Sequence, residues 1–148
     1  MIDKNDYIMS ANQIIISLGL PRAQQNERSA LCLLALLNLT PGKAWSDAEN
    51  PLIGITPIMD WMHEHYGKEY APNTRETIRR QTMHQFCDAG IAVDNPDKSD
   101  RPVNSPMAVY QIEPAMLTLL RTFGTSVWHS TLTTYLTERE TLVARYAK

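Results

Sequence analysis

Cysteine is scarce in this chain: Cys32 and Cys87 are the only two in 148 residues. Two cysteines in a domain of this length make no disulfide framework, so a reducing cytoplasm is the expected setting. Glycine is scarce as well, six in all. That leaves little room for a Gly-rich loop cradling phosphates, and no such motif is written here. Long apolar runs are missing. The strongest, residues 30–39 (ALCLLALLNL), is about half the roughly 20 residues a membrane span needs. It reads as a buried helix. Met1 leads into Ile2-Asp3-Lys4-Asn5-Asp6, which has neither the basic flank nor the apolar core of a signal peptide. Excess positive charge is also lacking: 14 Lys and Arg stand against 16 Asp and Glu, a net charge of −2. That excludes a protein that coats nucleic acid by bulk charge, and leaves open one with a small, local basic face.

What is present is ordinary folded-domain composition, 43% hydrophobic and 20% charged, in a length that suits one domain. Tyr7, Ile8, Ala11, Ile14, Ile15 and Leu18 recur at helical spacing, which predicts a first helix over 6–18, ended by Gly19 and Pro21. A second helix is expected over 24–39, closed by Thr40-Pro41-Gly42. Its second half is apolar all round and belongs at the centre of the core. Residues 43–55 read as a loop with Trp45 as a packing anchor. Thr56-Pro57 reads as N-cap and first position of a third helix, 57–66, stopped by Gly67. Asn73 precedes Glu76 by three, a capping-box pattern that starts a fourth helix at Thr74 and runs it to a left-handed cap at Gly90.

Beyond Gly90 the pattern becomes β-prone. Residues 91–93 and 108–112 predict two strands around a polar loop rich in Pro, Asp, Asn and Ser, a hairpin with an extended, solvated tip. Pro114 opens another helix, to Phe123, and a last helix is expected from Thr125 or Ser126. Trp128, Leu132, Tyr135, Leu136, Val143 and Tyr146 mark its apolar side. No Gly, Asn or Pro closes it. Two readings of that end stand side by side: a helix leading into something beyond, and a frayed terminus.

The order helix, helix, turn, helix, two-stranded wing is that of a winged helix-turn-helix. The expected fold is therefore mainly α, a winged helix-turn-helix with a β-hairpin wing plus N- and C-terminal helices. Residues 1–124 form the winged-helix domain and 125–148 the C-terminal helix. In this fold the helix before the wing enters the major groove. Projected at about 100° per residue, that helix turns Ile78, Thr82 and Phe86 towards the core, and Asn73, Glu76, Thr77, Arg80, Gln81 and His84 outward. Arg75 and Arg79 flank the core stripe. Arg pairs bidentately with guanine, Gln or Asn with adenine, and Thr touches a phosphate or a thymine methyl. Three arginines against one acid, Glu76, make the segment locally positive. The candidate DNA-contacting residues are thus Asn73, Thr74, Arg75, Thr77, Arg79, Arg80, Gln81 and His84. In the wing, Lys98 and Arg101 can sit on phosphates, although Asp94, Asp97 and Asp100 alternate with them. The plainer reading of the same pattern is a polar exposed helix face and a solvated loop.

Three segments carry a resemblance to a known family: 26–45 (NERSALCLLALLNLTPGKAW), 50–106 (from NPLIGITPIMDWMHEHYGKEYAPNTRETIRRQ to the end of the polar loop) and 110–114 (YQIEP). The chain resembles the N-terminal domain of type II restriction endonucleases of the BsuBI/PstI kind. The resemblance implies a helical, winged-helix-type domain that helps grip double-stranded DNA. It also implies a separate C-terminal nuclease domain of the PD-(D/E)xK kind that needs Mg²⁺, and homodimers acting on a palindrome of the CTGCAG type. The last helix then leads toward that nuclease domain.

The nuclease residues themselves are not expected in this chain. Their motif needs an Asp and an acidic-x-Lys triplet on adjoining strands, converging on metal and phosphate. Lys4, Lys43, Lys68, Lys98 and Lys148 have no such context. His63-Glu64-His65 places its two imidazoles on different sides of a helix and lacks the zinc-protease spacing. Cys32 and Cys87 read as packing groups. No catalytic residue, no metal ligand and no cofactor is therefore assigned within the chain. Two other functions fit the same elements: a stand-alone winged-helix transcription regulator, and a protein–protein or dimerisation module, which the acidic net charge favours.

Overall fold

The computed structural model describes residues 3–102 and 104–146, and side chains as far as residue 140. Its centre is the leucine-rich run. Helix α2, Glu27–Leu36, buries every residue from Ser29 onward, and Leu37 and Leu39 beyond it are equally inaccessible. Asn26 starts this helix: its side-chain oxygen accepts the Ser29 N–H at 2.9 Å. The expected start at Gln24 is corrected, since Arg22–Gln24 forms a separate 3-10 turn. The end is corrected too. Asn38 turns left-handed at φ 47, three residues before the Pro-Gly that the sequence points to. Helix α1, Lys4–Ser17, is capped by Asp3 and lies against α2.

Helix α3, Ile55–Tyr66, is pinned to the end of α2 by two hydrogen bonds. Trp61 Nε1 donates to Asn38 Oδ1 at 2.8 Å, and the Tyr66 hydroxyl donates to the Leu39 carbonyl at 2.9 Å. Gly54, not Thr56, is the N-cap. Thr56 and Pro57 lie inside the first turn, where proline's missing N–H is one of the helix's orphan donors anyway. The helix expected from residue 74 is α4. It begins as Thr74–Ile78, passes through a π-helical turn, Arg79–Met83, and ends as His84–Asp88. Its start agrees with the sequence, but the capping box does not form. Asn73 is itself helical and caps nothing with its side chain. The Thr74 and Arg75 N–H groups donate instead to Ala71 and Pro72 carbonyls at 2.9 and 3.2 Å. Gly90 ends the helix at φ 77, a conformation that costs other residues.

The sheet has three antiparallel strands in the order β1-β3-β2: β1 is Ile53–Gly54, β2 Ala92–Asp94 and β3 Val109–Ile112. The hairpin was expected; β1 was not, since residues 43–55 read as a loop. Only two residues pair, Ile53 with Tyr110 and Gly54 with Val109, too few to show a period-2 pattern. A Cβ at Gly54 would meet the Ala108 carbonyl at 3.2 Å, so this close approach of backbones favours glycine. Helix α5, Pro114–Leu120, is capped by the Glu113 carboxylate on the Met116 N–H at 2.9 Å and is shorter than the expected span to Phe123. Helix α6, Trp128–Tyr146, starts later than expected. Trp128 is buried against Phe123, which also meets Trp45 at 5.1 Å. Trp45 thus packs as anticipated. The side chains of Val143 and Tyr146 lie outside the described residues.

Candidate nucleic-acid interface

Helix α4 separates its faces sharply. Ile78, Thr82, Met83 and Phe86 are fully buried. Asn73, Glu76, Arg80, Gln81 and His84 are exposed, while Thr74, Arg75, Thr77 and Arg79 are half-buried. Met83 on the core side was not anticipated, and the π turn supplies the reason. There the His84 N–H donates to the Arg79 carbonyl, five residues back. That closure takes up about one extra residue per turn, which swings Met83 inward beside Thr82. The Thr82 hydroxyl accepts from Arg28 Nε of α2 at 3.1 Å, so the one polar group on the buried side is satisfied.

The three arginines of α4 are not equivalent. Arg79 binds Glu76 through both forks of its guanidinium, Nε to Oε1 at 3.1 Å and Nη2 to Oε2 at 2.6 Å, and its side chain is only 11% exposed. Arg75 spans two other elements: Nε donates to Thr56 Oγ1 of α3 at 3.2 Å, and Nη2 to the Pro106 carbonyl at the base of the wing, also at 3.2 Å. Arg80 is 73% exposed and approaches Glu76 Oε2 through Nε at 3.3 Å. The hydrogen bond from Arg79, with the charges of Arg79, Arg80 and Arg75, holds the Glu76 carboxyl below its ordinary 4.5. Glu76 is therefore ionised at neutral pH and is part of the exposed face.

The wing loop is organised around Asn95, a buried residue at φ 47. Its Oδ1 accepts from the Val109 N–H and from Arg101 Nη1, each at 3.1 Å. Arg101 also grips Asp97 with both terminal nitrogens, at 3.1 and 3.3 Å. Arg101 thus braces the loop from within, while Lys98 stands exposed at the tip with no ion pair among the described residues.

Elsewhere the polar groups do not assemble into a reactive site. Burial pushes both Cys32 and Cys87 up to about 12, which keeps them as neutral thiols at physiological pH. His63 points at Glu69, 3.8 Å away, while His65 lies against Trp61 with ring centroids 5.1 Å apart. No group of three or more His, Cys, Asp or Glu converges among the described residues. No helix among them is long and apolar enough to cross a membrane.

Comparison with known proteins matches these elements to one family. Residues 5–144 match the model described as the BsuBI/PstI restriction endonuclease HTH domain. The chain is 62% identical to the type II restriction enzyme BsuBI of Bacillus subtilis over 141 residues, 95% of this chain and 45% of that enzyme. It is 40% identical to the type II restriction enzyme AplI of Arthrospira platensis over 139 residues, 94% of this chain and 43% of that enzyme. Among solved structures, that of the SdaI restriction endonuclease superposes with a TM-score of 0.84 at 36% identity, over 88% of this chain and 41% of that one. The chain thus spans less than half the length of the relatives it matches. By the match across nearly its whole length, the chain belongs to the BsuBI/PstI restriction endonuclease HTH domain family.

Proposed function

We propose that this chain is the sequence-specific, double-stranded-DNA-binding part of a type II restriction endonuclease, and that it grips DNA as a winged helix-turn-helix. The observation that carries this reading is the exposed face of α4. It presents Arg80, Gln81, His84 and Asn73 together, directly opposite the buried Ile78, Thr82 and Phe86, and the β2–β3 hairpin follows it. The order α2, β1, α3, α4, β2, β3 supports this reading, since a winged helix keeps its major-groove helix just before its hairpin. Arg80 and Gln81 read base edges, with His84, Asn73 and Thr77 at the margins of the contact. Lys98 meets a phosphate from the wing tip. Thr74, Arg75, Arg79 and Arg101 serve the site by position, since the guanidinium groups of all three arginines are bonded inside the protein.

Cleavage would belong to the part of the enzyme not spanned here, reached through α6. The Mg²⁺ expected for a type II nuclease would be held in that same part, by the residues that cleave. Homodimers in the cytoplasm acting on a CTGCAG-type palindrome complete the proposal. A second reading, a module joining subunits, draws on the internal pairing of Arg75, Arg79 and Arg101, which leaves little free positive charge. Salt separates the two. Each phosphate contact adds about 0.9 to the slope of log K against log salt on duplex DNA, so DNA binding by this chain should weaken steeply between about 50 and 200 mM salt. A flat response, or no binding at low salt, would favour the module.

A further inference from the structure

We infer that Glu76 sets the selectivity of α4 by holding Arg80 for a base edge and away from phosphate; this rests on the DNA-binding reading above. A carboxylate on a surface that meets a polyanion costs affinity, so its presence calls for a reason. The geometry supplies one. Both oxygens of Glu76 are engaged: Oε1 accepts from Arg79 Nε, and Oε2 lies 2.6 Å from Arg79 Nη2 and 3.3 Å from Arg80 Nε. Arg79 is thereby fixed to the helix and nearly covered. Arg80 meets Glu76 only through an ion-pair contact at Nε, and no hydrogen bond engages its guanidinium among the described residues. Its two terminal nitrogens are the pair that guanine O6 and N7 accept from in the major groove. A guanidinium drawn to Glu76 by charge stays near the helix face that carries both residues. One released from Glu76 sweeps its whole side-chain reach and finds the nearest phosphate.

The electrostatics act in the same direction. Glu76 offsets one of the two charges on Arg79 and Arg80, which lowers attraction to any duplex whatever its sequence. A penalty common to all sites, combined with a bidentate contact made only at the right one, widens the difference between them.

Glu76→Gln tests this in the intact chain. The removed charge should tighten binding to a scrambled duplex and steepen its salt slope by about 0.9, the increment of one further phosphate contact. The ratio of affinities between the best duplex from a randomised library and its scrambled form should fall about tenfold, within the range that one bidentate base contact contributes. The effect runs through Arg80, so in an Arg80→Gln background Glu76→Gln should leave that ratio unchanged. A merely structural Glu76 would lower it in both backgrounds, and that outcome overturns the inference. So does a Glu76→Gln chain with wild-type ratio and slope. Failure of the wild-type chain to bind any duplex would instead overturn the DNA-binding reading, and this inference with it.

Discussion

The residues of α4 divide by what already occupies them. Arg79 and Arg75 are bonded to Glu76, Thr56 and Pro106, whereas Arg80 and Gln81 face outward. Arg80→Ala and Gln81→Ala should each reduce discrimination between sites by about 1–3 kcal/mol, read by competition with single-base variants of the preferred duplex. Arg75→Ala should weaken binding to preferred and scrambled duplexes alike, because it unties α3 and the wing from the reading helix. Retained affinity in Arg75→Ala would show that the strut is dispensable. Three carboxyls lie below their ordinary range: Glu76 beside Arg79, Asp97 beside Arg101 and Glu49 beside Lys43. A carboxyl lowered in the folded state adds stability above its unfolded value and loses it as pH falls through the folded one. Thermal melting should therefore drop faster below pH 4.5, the ordinary Glu value, in the wild type than in a Glu76→Gln, Asp97→Asn variant. All three groups are solvent-exposed, so the difference should be small.

At the scale of elements, the π turn in α4 and the loop held by Asn95 decide where the side chains point. Thr82 lies inside that turn and takes its bond from Arg28 of α2. Thr82→Val keeps the shape and removes the acceptor, so it should cost about 1–2 kcal/mol in urea unfolding. An unchanged midpoint would mean that water replaces the bond. Much of α4 was legible beforehand: the apolar spacing of Ile78, Thr82 and Phe86 and the stop at Gly90 are local signals. The π turn was not legible, because no residue of Arg79–Met83 marks it by a preference of its own. β1 escaped for a related reason. Ile53 and Gly54 are a strand only because β3 lies beside them. Asn95 left a faint trace, an Asn in a turn-rich stretch, a residue that tolerates the left-handed region, but its bonds to Arg101 and Val109 join residues that only the folded loop brings together.

Across the whole molecule, the weight rests on α2, whose leucines are enclosed by α1, α3 and the sheet. Leu34 is fully buried, so Leu34→Ala should destabilise by about 2–5 kcal/mol, measured by chemical denaturation, with DNA binding lost only when the domain unfolds. The purified chain should leave DNA uncut with or without Mg²⁺. Cleavage would overturn the proposal that hydrolysis belongs to a separate nuclease part. By itself, the amino-acid sequence settled which helices exist, which of their faces are apolar, and that a hairpin follows the arginine-bearing helix. Those features depend on spacing, caps and turn residues within a few positions of one another. What occupies Arg75 was decided only by the tertiary structure. The Glu76–Arg79 pair is local, three residues apart on one helix, but Thr56 and Pro106 reach Arg75 only in the folded chain, and a guanidinium bonded within the protein has fewer donors left for DNA.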